Sequence, residues 1–332
     1  MIRIKLGIYG FGAIGKLVAN VALERGYEIS GAVDVNKEIL DKDIGEIVGK
    51  EKIGAKVTNN LNILENSDVI IHTTGSFLDS VFEQLANIIK LGLPIVSSCE
   101  TLSFPYYRYP ILALKLDKLA SSYMIPIIGT GINPGFIFDT LVATLSSSVS
   151  LVKKIKAIRS LDASKRRESF RKKIGVGEPP EVVLEKLMKK EISGHVGYAE
   201  SVYLVALSGG VNLSKVEESS ELILAEDDIE QNGIKVKKGM NKGMRGYGVG
   251  YLNDKDIVRI DFQAYVGAPE FEEISIEGKD YNITWKSTGT PGDLGTVSML
   301  LNVAEKILYM PPGLHLMTEL LPFGTKFDMS KF

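Results

Sequence analysis

One cysteine, three histidines and one tryptophan are all that 332 residues supply of these side chains. A lone Cys99 closes no intramolecular disulfide, and the histidines have no metal-ligand spacing with it, so no metal site is expected. No apolar run reaches the ~20 residues that a bilayer span needs, and no segment recurs at a fixed period. Charge of one sign is missing too. Lys and Arg number 39 against 41 Asp and Glu, net −2 at pH 7, so no overall field draws the chain to nucleic acid or membrane. The opening MIRIKLGIYGFG runs straight into a strand and turn with no secretory leader, and a cytoplasmic protein is expected. What remains, 45% hydrophobic and 24% charged residues, suits a globular chain of about two domains.

Residues 1–135 alternate short apolar runs with helical patterns. Ile2–Tyr9 ends at Gly10, a helical stretch follows from Ala13 to Arg25, and Glu28–Val33 ends at Asp34. Val69–Thr73, Pro94–Ser98 and Ile125–Gly129 continue the series, with helices about 77–91 and 111–123 between them. Such alternation predicts an α/β domain with a doubly wound parallel sheet, a Rossmann fold. Residues 136–290 read differently. After a helix over 135–148, longer alternating runs at 152–162, 216–225, 256–266, 271–277 and 281–286 predict an α+β domain on an open mixed sheet. Helices are expected from Pro179-Pro180 and over 197–206. A last helix, about 291–310 with Asp293 as N-cap, completes the first domain and leaves 311–332 as a surface tail. An open sheet face predicts a homodimer or higher homo-oligomer.

Gly10-Phe11-Gly12-Ala13-Ile14-Gly15 sits between a strand and a helix, the context in which GxGxxG marks a dinucleotide site. Gly10 permits the turn, Gly12 the approach of the pyrophosphate, and Gly15 close packing of the helix. Asp34, 19 residues beyond Gly15, is placed to accept from the adenosine ribose. It favours NAD over NADP, although Lys37 can partly offset its repulsion of a 2′-phosphate. Thr73-Thr74-Gly75-Ser76 and Ser97-Ser98-Cys99-Glu100 end later strands, where ligands of open α/β sheets bind. Thr74 and Gly75 are candidate cofactor contacts or simply a tight connection.

Several segments together resemble the dihydrodipicolinate reductase-like family over nearly the whole chain. They are the glycine loop, Ser98–Pro105, Gly129–Phe136 with its Asn133-Pro134-Gly135, Gly194-His195-Val196-Gly197 with Glu200-Ser201, and Pro311–Leu314. The reductases proper carry a His-His pair and a downstream lysine on the strand after the interdomain helix. This chain reads Arg159–Arg167 there, without the pair or the following Ser-Gly-Thr loop, so the resemblance favours an amine dehydrogenase. It implies oxidative deamination of an amino acid, such as 2,4-diaminopentanoate, by NAD or NADP. Two rivals are an imine or ketone reductase of the same family and a non-catalytic NADH-binding redox sensor.

Deamination needs a base, a carboxylate clamp and a partner for ammonium. Glu100, at its strand end and near the cofactor, is a candidate to pair with an ammonium or to act as base, and Asn133 a candidate ligand of nicotinamide or substrate through its amide. The 153–173 segment holds ten basic residues against Asp162 and Glu168. From it Arg159, Arg166, Arg167 and Lys173 are candidate clamps and Asp162 a further catalytic candidate, the alternative being a solvated face. His195, in a glycine-flanked turn before a helix, is a candidate acid or base or else a packing residue. His72 reads as a core residue and His315 has no assigned role. A thiolate mechanism at Cys99, as in an aldehyde dehydrogenase, is disfavoured because Glu100 beside it raises the thiol pKa.

Overall fold

The computed structural model describes residues 4–322, 325 and 327–329. Along the chain run β1 (Lys5–Tyr9), α1 (Ala13–Glu24), β2 (Glu28–Val33), α2 (Ile44–Ile47), β3 (Val57–Thr58), β4 (Val69–His72) and α3 (Leu78–Ile89). β5 (Ile95–Ser97), α4 (Pro105–Arg108), α5 (Pro110–Ser122), β6 (Pro126–Gly129), α6 (Thr140–Ser146), β7 (Val152–Asp162), α7 (Glu168–Lys173) and α8 (Pro180–Met188) follow. Then come α9 (Tyr198–Ser208), β8 (Lys215–Leu224), β9 (Ile229–Gln231), β10 (Ile234–Val236), β11 (Asn241–Leu252), β12 (Lys255–Tyr265), β13 (Phe271–Gly278) and β14 (Asn282–Ser287). α10 (Gly292–Ile307) and β15 (Gly313–His315) close the series. The chain divides into two compact units, Met1–Ile137 with Pro291–Leu320, and Phe138–Thr290 with Leu321–Phe332.

The first unit is a seven-stranded parallel sheet in the order β15-β6-β5-β4-β1-β2-β3, a doubly wound Rossmann fold. Its strands are apolar throughout because both faces are covered: Val69, Ile70 and Ile71 of β4 are fully buried. One face packs on α1 and α10 through Val18, Ala22, Val297, Leu300 and Leu301. The other packs on α3 and α5 through Leu78, Leu85, Ala113 and Leu116. Each buried Leu or Ile contributes roughly 1.5–3 kcal/mol. Ile2 and Arg3, expected to begin β1, lie outside the described residues.

The segment expected as a surface tail is instead structured where described. Gly313–His315 add β15 to the sheet edge, parallel to β6, and all three are buried. Thr325, Phe327 and Asp328 are buried in the second unit, Thr325 sharing a 2.6 Å hydrogen bond with Ser146 Oγ. Short apolar runs such as Gly-Leu-His are too brief to show a strand by periodicity. Residues 323, 324, 326 and 330–332 of the expected tail lie outside the described residues.

The second unit is built on a six-stranded mixed sheet, β14-β13-β7-β12-β11-β8, in which only β7 and β12 pair in parallel. Alternation along β12 explains its two faces. Val258, Ile260, Phe262 and Ala264 are buried while Arg259, Asp261 and Gln263 are half-buried on the opposite side. Two features depart from expectation. The helix over 135–148 shortens to α6, because Asp139 accepts the Thr140 N–H at 2.7 Å and starts the helix there. The glycine-rich β11 and the hairpin β9–β10 had no sequence forecast, since glycine erases the apolar alternation that betrays a strand.

Candidate active site

The glycine loop is built for close approach. Gly10 adopts φ +94°, its N–H donates to Val33 O at 2.8 Å, and its carbonyl accepts from Thr73 Oγ1 at 2.7 Å. A Cβ on Gly15 would collide with that same carbonyl, so α1 begins this near β1 only without a side chain. Gly12 is exposed, a Cβ there would meet nothing within 4 Å, and it caps α1 with no side chain closing the helix. No acidic residue stands in the first turn. The free N–H groups of a 12-residue helix therefore face open surface with positive dipole, a fit for a pyrophosphate.

Asp34 stands at the end of β2. Its Oδ2 accepts the Phe11 N–H at 2.6 Å and its Oδ1 the Asn36 N–H at 2.8 Å, which fixes the carboxylate beside the loop with lone pairs left for ribose hydroxyls. Phe11 contributes its backbone alone, since its ring is fully buried in the sheet core. Ala13 is exposed and Ile14 half-buried on the first turn of α1.

The ends of β4 and β5 lie next along the sheet. Thr74 is exposed and Gly75 half-buried. Ser98 N–H donates to His72 O at 2.9 Å, Thr101 N–H to Ser76 O at 3.1 Å, and Leu78 N–H to Thr101 Oγ1 at 2.8 Å, which ties the two strand-end loops together. Glu100, half-buried, opens the 3-10 turn Glu100–Ser103 at this edge. Its neighbour Cys99 is fully buried, and burial, aided by Glu100, pushes the thiol up to about 12. A thiolate nucleophile is excluded there near neutral pH. Asn133 is half-buried in the turn after β6.

In the second unit the basic run does not act as one. Arg159 is fully buried, 3.0 Å by Nε from Glu272 Oε1, and donates through Nη2 to Thr290 O at 2.6 Å. Glu272 also accepts from Ser287 Oγ, from Thr290 N at 3.1 Å and from Thr290 Oγ1 at 2.9 Å. These contacts hold the guanidinium in its own framework and count against the clamp role expected for Arg159. Asp162 is likewise structural. It accepts from Ser164 N and Oγ, Gln231 Nε2 and Gly267 N at 2.7–3.0 Å, a cap that ties the end of β7 to the β9–β10 hairpin and counts against the catalytic role expected for it. Arg166 lies over the Phe170 ring at 5.1 Å, and Arg167 donates to Ser169 Oγ at 2.8 Å.

His195 draws part of the set together. Burial, then the charges of Lys173 and Arg159, hold its imidazole well below the usual range, so the ring is neutral near pH 7. It stacks on Phe262 with centroids 3.9 Å apart and meets the edge of Tyr198 at 4.7 Å. Sequence reasoning missed Phe262, Tyr198 and Glu272. Only Tyr198 carried a signal, its position three residues after His195 at the head of a helix. Among the described residues no group of three His, Cys, Asp or Glu side chains is placed to hold a metal ion.

A Rossmann sheet with an open glycine cradle, joined in sequence to a mixed-sheet unit carrying a neutral histidine beside cations, defines a dinucleotide-binding oxidoreductase. Residues 4–100 match the dihydrodipicolinate reductase N-terminal family, and residues 136–330 match the 2,4-diaminopentanoate dehydrogenase C-terminal domain. The chain belongs to the 2,4-diaminopentanoate dehydrogenase family. It is 28% identical to the 2,4-diaminopentanoate dehydrogenase of Acetoanaerobium sticklandii, over 96% of this chain and 94% of that one. Its fold is similar to that of an amine dehydrogenase from Mycobacterium smegmatis, with TM-score 0.84 and 20% identity over 95% of each chain. It also resembles GenD2 of gentamicin A biosynthesis, solved with NAD, at TM-score 0.58 and 13% identity over 96% of this chain and 90% of that one.

Proposed function

We propose that the chain oxidises 2,4-diaminopentanoate to 2-amino-4-oxopentanoate and ammonia in the cytoplasm, with NAD preferred to NADP. The observation that carries this reading is Glu100, a half-buried carboxylate on the strand edge that also bears the glycine cradle, in a chain of this family. When bound, the nicotinamide supplies the two-electron acceptor for the hydride leaving C4. The rest of the reaction falls to the protein. Glu100 takes the proton that turns the C4 ammonium into an amine and releases it to solvent, then takes a proton from the water that attacks the substrate iminium and returns it to the departing amine. Loss of ammonia from the resulting carbinolamine leaves the ketone. Asn133 holds substrate or nicotinamide by its amide, Thr74 and Gly75 face the nicotinamide ribose, and Arg166, Arg167 and Lys173 bind the carboxylate. His195, kept neutral, accepts or relays a proton.

Preference for NAD rests on Asp34, whose carboxylate repels a 2′-phosphate. The test is reduced-nicotinamide absorbance with purified protein, each cofactor and 2,4-diaminopentanoate, with ornithine and alanine as controls. Turnover with ammonia release supports the reading, and measurable NADH binding without turnover of the diamino acid overturns it. We further propose self-association through the open sheet face. There a cavity of about 530 Å³ is lined in part by Arg245, Tyr247, Arg259 and Asp261, a mixture of charge and aromatic surface suited to a second copy. Light scattering of wild type and Tyr247→Glu measures it, and a monomer in both refutes it.

A further inference from the structure

His72 has no part in the chemistry above, yet it sits at the point where both strand-end loops meet. It ends β4, is fully buried, and uses both ring nitrogens. Nδ1 lies 2.8 Å from Ser97 Oγ at the end of β5. Nε2 lies 3.0 Å from Gln84 Oε1 on α3 and 2.9 Å from Thr74 Oγ1. Elementary donor and acceptor counting then fixes every proton. Gln84 Oε1 can only accept, so Nε2 carries the hydrogen, and Thr74 Oγ1, 2.6 Å from the same oxygen, donates its own. Nδ1 must therefore accept from Ser97 Oγ, which in turn accepts the Cys99 N–H at 3.1 Å. Burial pushes the imidazole down to about 4, which keeps it neutral in ordinary buffers.

We propose that His72, as the neutral Nε2–H tautomer, is a positioning residue that joins Thr74 on one strand-end loop to Ser97–Cys99 on the other, forming a single platform for the nicotinamide half of the cofactor. The chain runs Cys99 N–H to Ser97, Ser97 to His72, and His72 to Thr74 and Gln84, with one orientation at each link. Thr74 is the exposed end of this chain, and Glu100 follows directly on its other end. The proposal rests on the reading that the nicotinamide lies at this edge. It does not involve the adenosine half, which the glycine loop and Asp34 receive.

That separation supplies the experiment. In the full chain, His72→Phe keeps the bulk and deletes the contacts of both ring nitrogens with Ser97, Gln84 and Thr74. NADH affinity should fall about tenfold, the worth of one or two lost hydrogen bonds, while affinity for ADP, a probe of the adenosine half, stays within about twofold. His72→Gln, whose amide nitrogen reaches the Nε2 position, should recover part of the loss. Gln84→Met, on the helix and half-buried, should shift NADH in the same direction by less. Equal losses of NADH and ADP affinity in His72→Phe mean a merely structural histidine, and no loss of either overturns the proposal. Heteronuclear correlation spectra of the ring nitrogens add a direct check, since an Nδ1–H tautomer reverses the chain and also overturns it. Failure of the wild type to bind ADP would instead sink the cofactor reading, and the tautomer would still decide the role of His72.

Discussion

The two units use glycine for opposite purposes. In the first, Gly10, Gly12 and Gly15 cluster where a strand becomes a helix and leave room for a ligand. In the second, Gly246, Gly248 and Gly250 alternate along one face of β11 and leave room for a helix. A Cβ on Gly246 would stand 2.5 Å from Tyr198 Oη, one on Gly248 3.0 Å from the Tyr198 Cβ, and one on Gly250 2.7 Å from a Val202 methyl. Period-two glycine therefore marks a seat for α9, whereas glycine spaced two and then three at a strand end marks a cradle. The lesson extends to charge. A carboxylate at the edge of the parallel sheet, Glu100, stays half-buried, while in the mixed-sheet unit Arg159 pairs with Glu272 and Asp162 caps the turn after β7.

If that contrast holds, substitutions in the first unit should strike chemistry and those in the second should strike stability. Glu100→Gln is expected to lower kcat about 10²–10⁴-fold, in steady-state assays, with NADH affinity and melting temperature near wild type. Wild-type kcat in this variant would remove Glu100 from the base role. Glu272→Ala should do the reverse, costing about 3–5 kcal/mol in denaturant unfolding because it leaves the Arg159 charge buried without its partner. Lys165→Ala, which breaks the exposed pair with Glu270, should leave the denaturant midpoint near that of wild type. A small loss at Glu272 would blur the comparison.

The first unit also contributes a pH dependence. His72 is depressed from an ordinary 6.5 to about 4, so the folded state binds this proton less readily than the unfolded chain. Its contribution is complete above pH 6.5 and is lost as pH falls toward 4, about 3 kcal/mol over that window. Unfolding of wild type and His72→Phe between pH 7 and 4 isolates it, and the variant should show the shallower slope. A loss of intermediate size belongs to β11. Gly246→Ala should cost about 1–3 kcal/mol by pressing on Tyr198 and the Ser219 carbonyl, with NADH binding unchanged.

Legibility in the sequence followed the same divide. Buried parallel strands announce themselves as apolar runs, and the glycine loop with Asp34 has a spacing dictated by its ligand, so both could be read residue by residue. β12 was legible because its faces differ, one apolar and one charged. β11 was not, because its buried face is glycine, and β15 was too short to show a period. At the site, charge density suggested Arg159 and Asp162, but sequence does not reveal burial, and burial turned both into framework. The stacking of His195 on Phe262 joins residues 67 apart, a contact that no local pattern encodes.

One contact in the cradle bears on redesign. Asp34 holds the Phe11 N–H at 2.6 Å, so the side chain proposed to discriminate between cofactors also braces the glycine loop. An engineer who replaces it to admit a phosphorylated cofactor removes a brace together with a repulsion. Success would require a second change that restores the lost acceptor to the Phe11 amide, and variants selected for the switch should carry their changes in pairs.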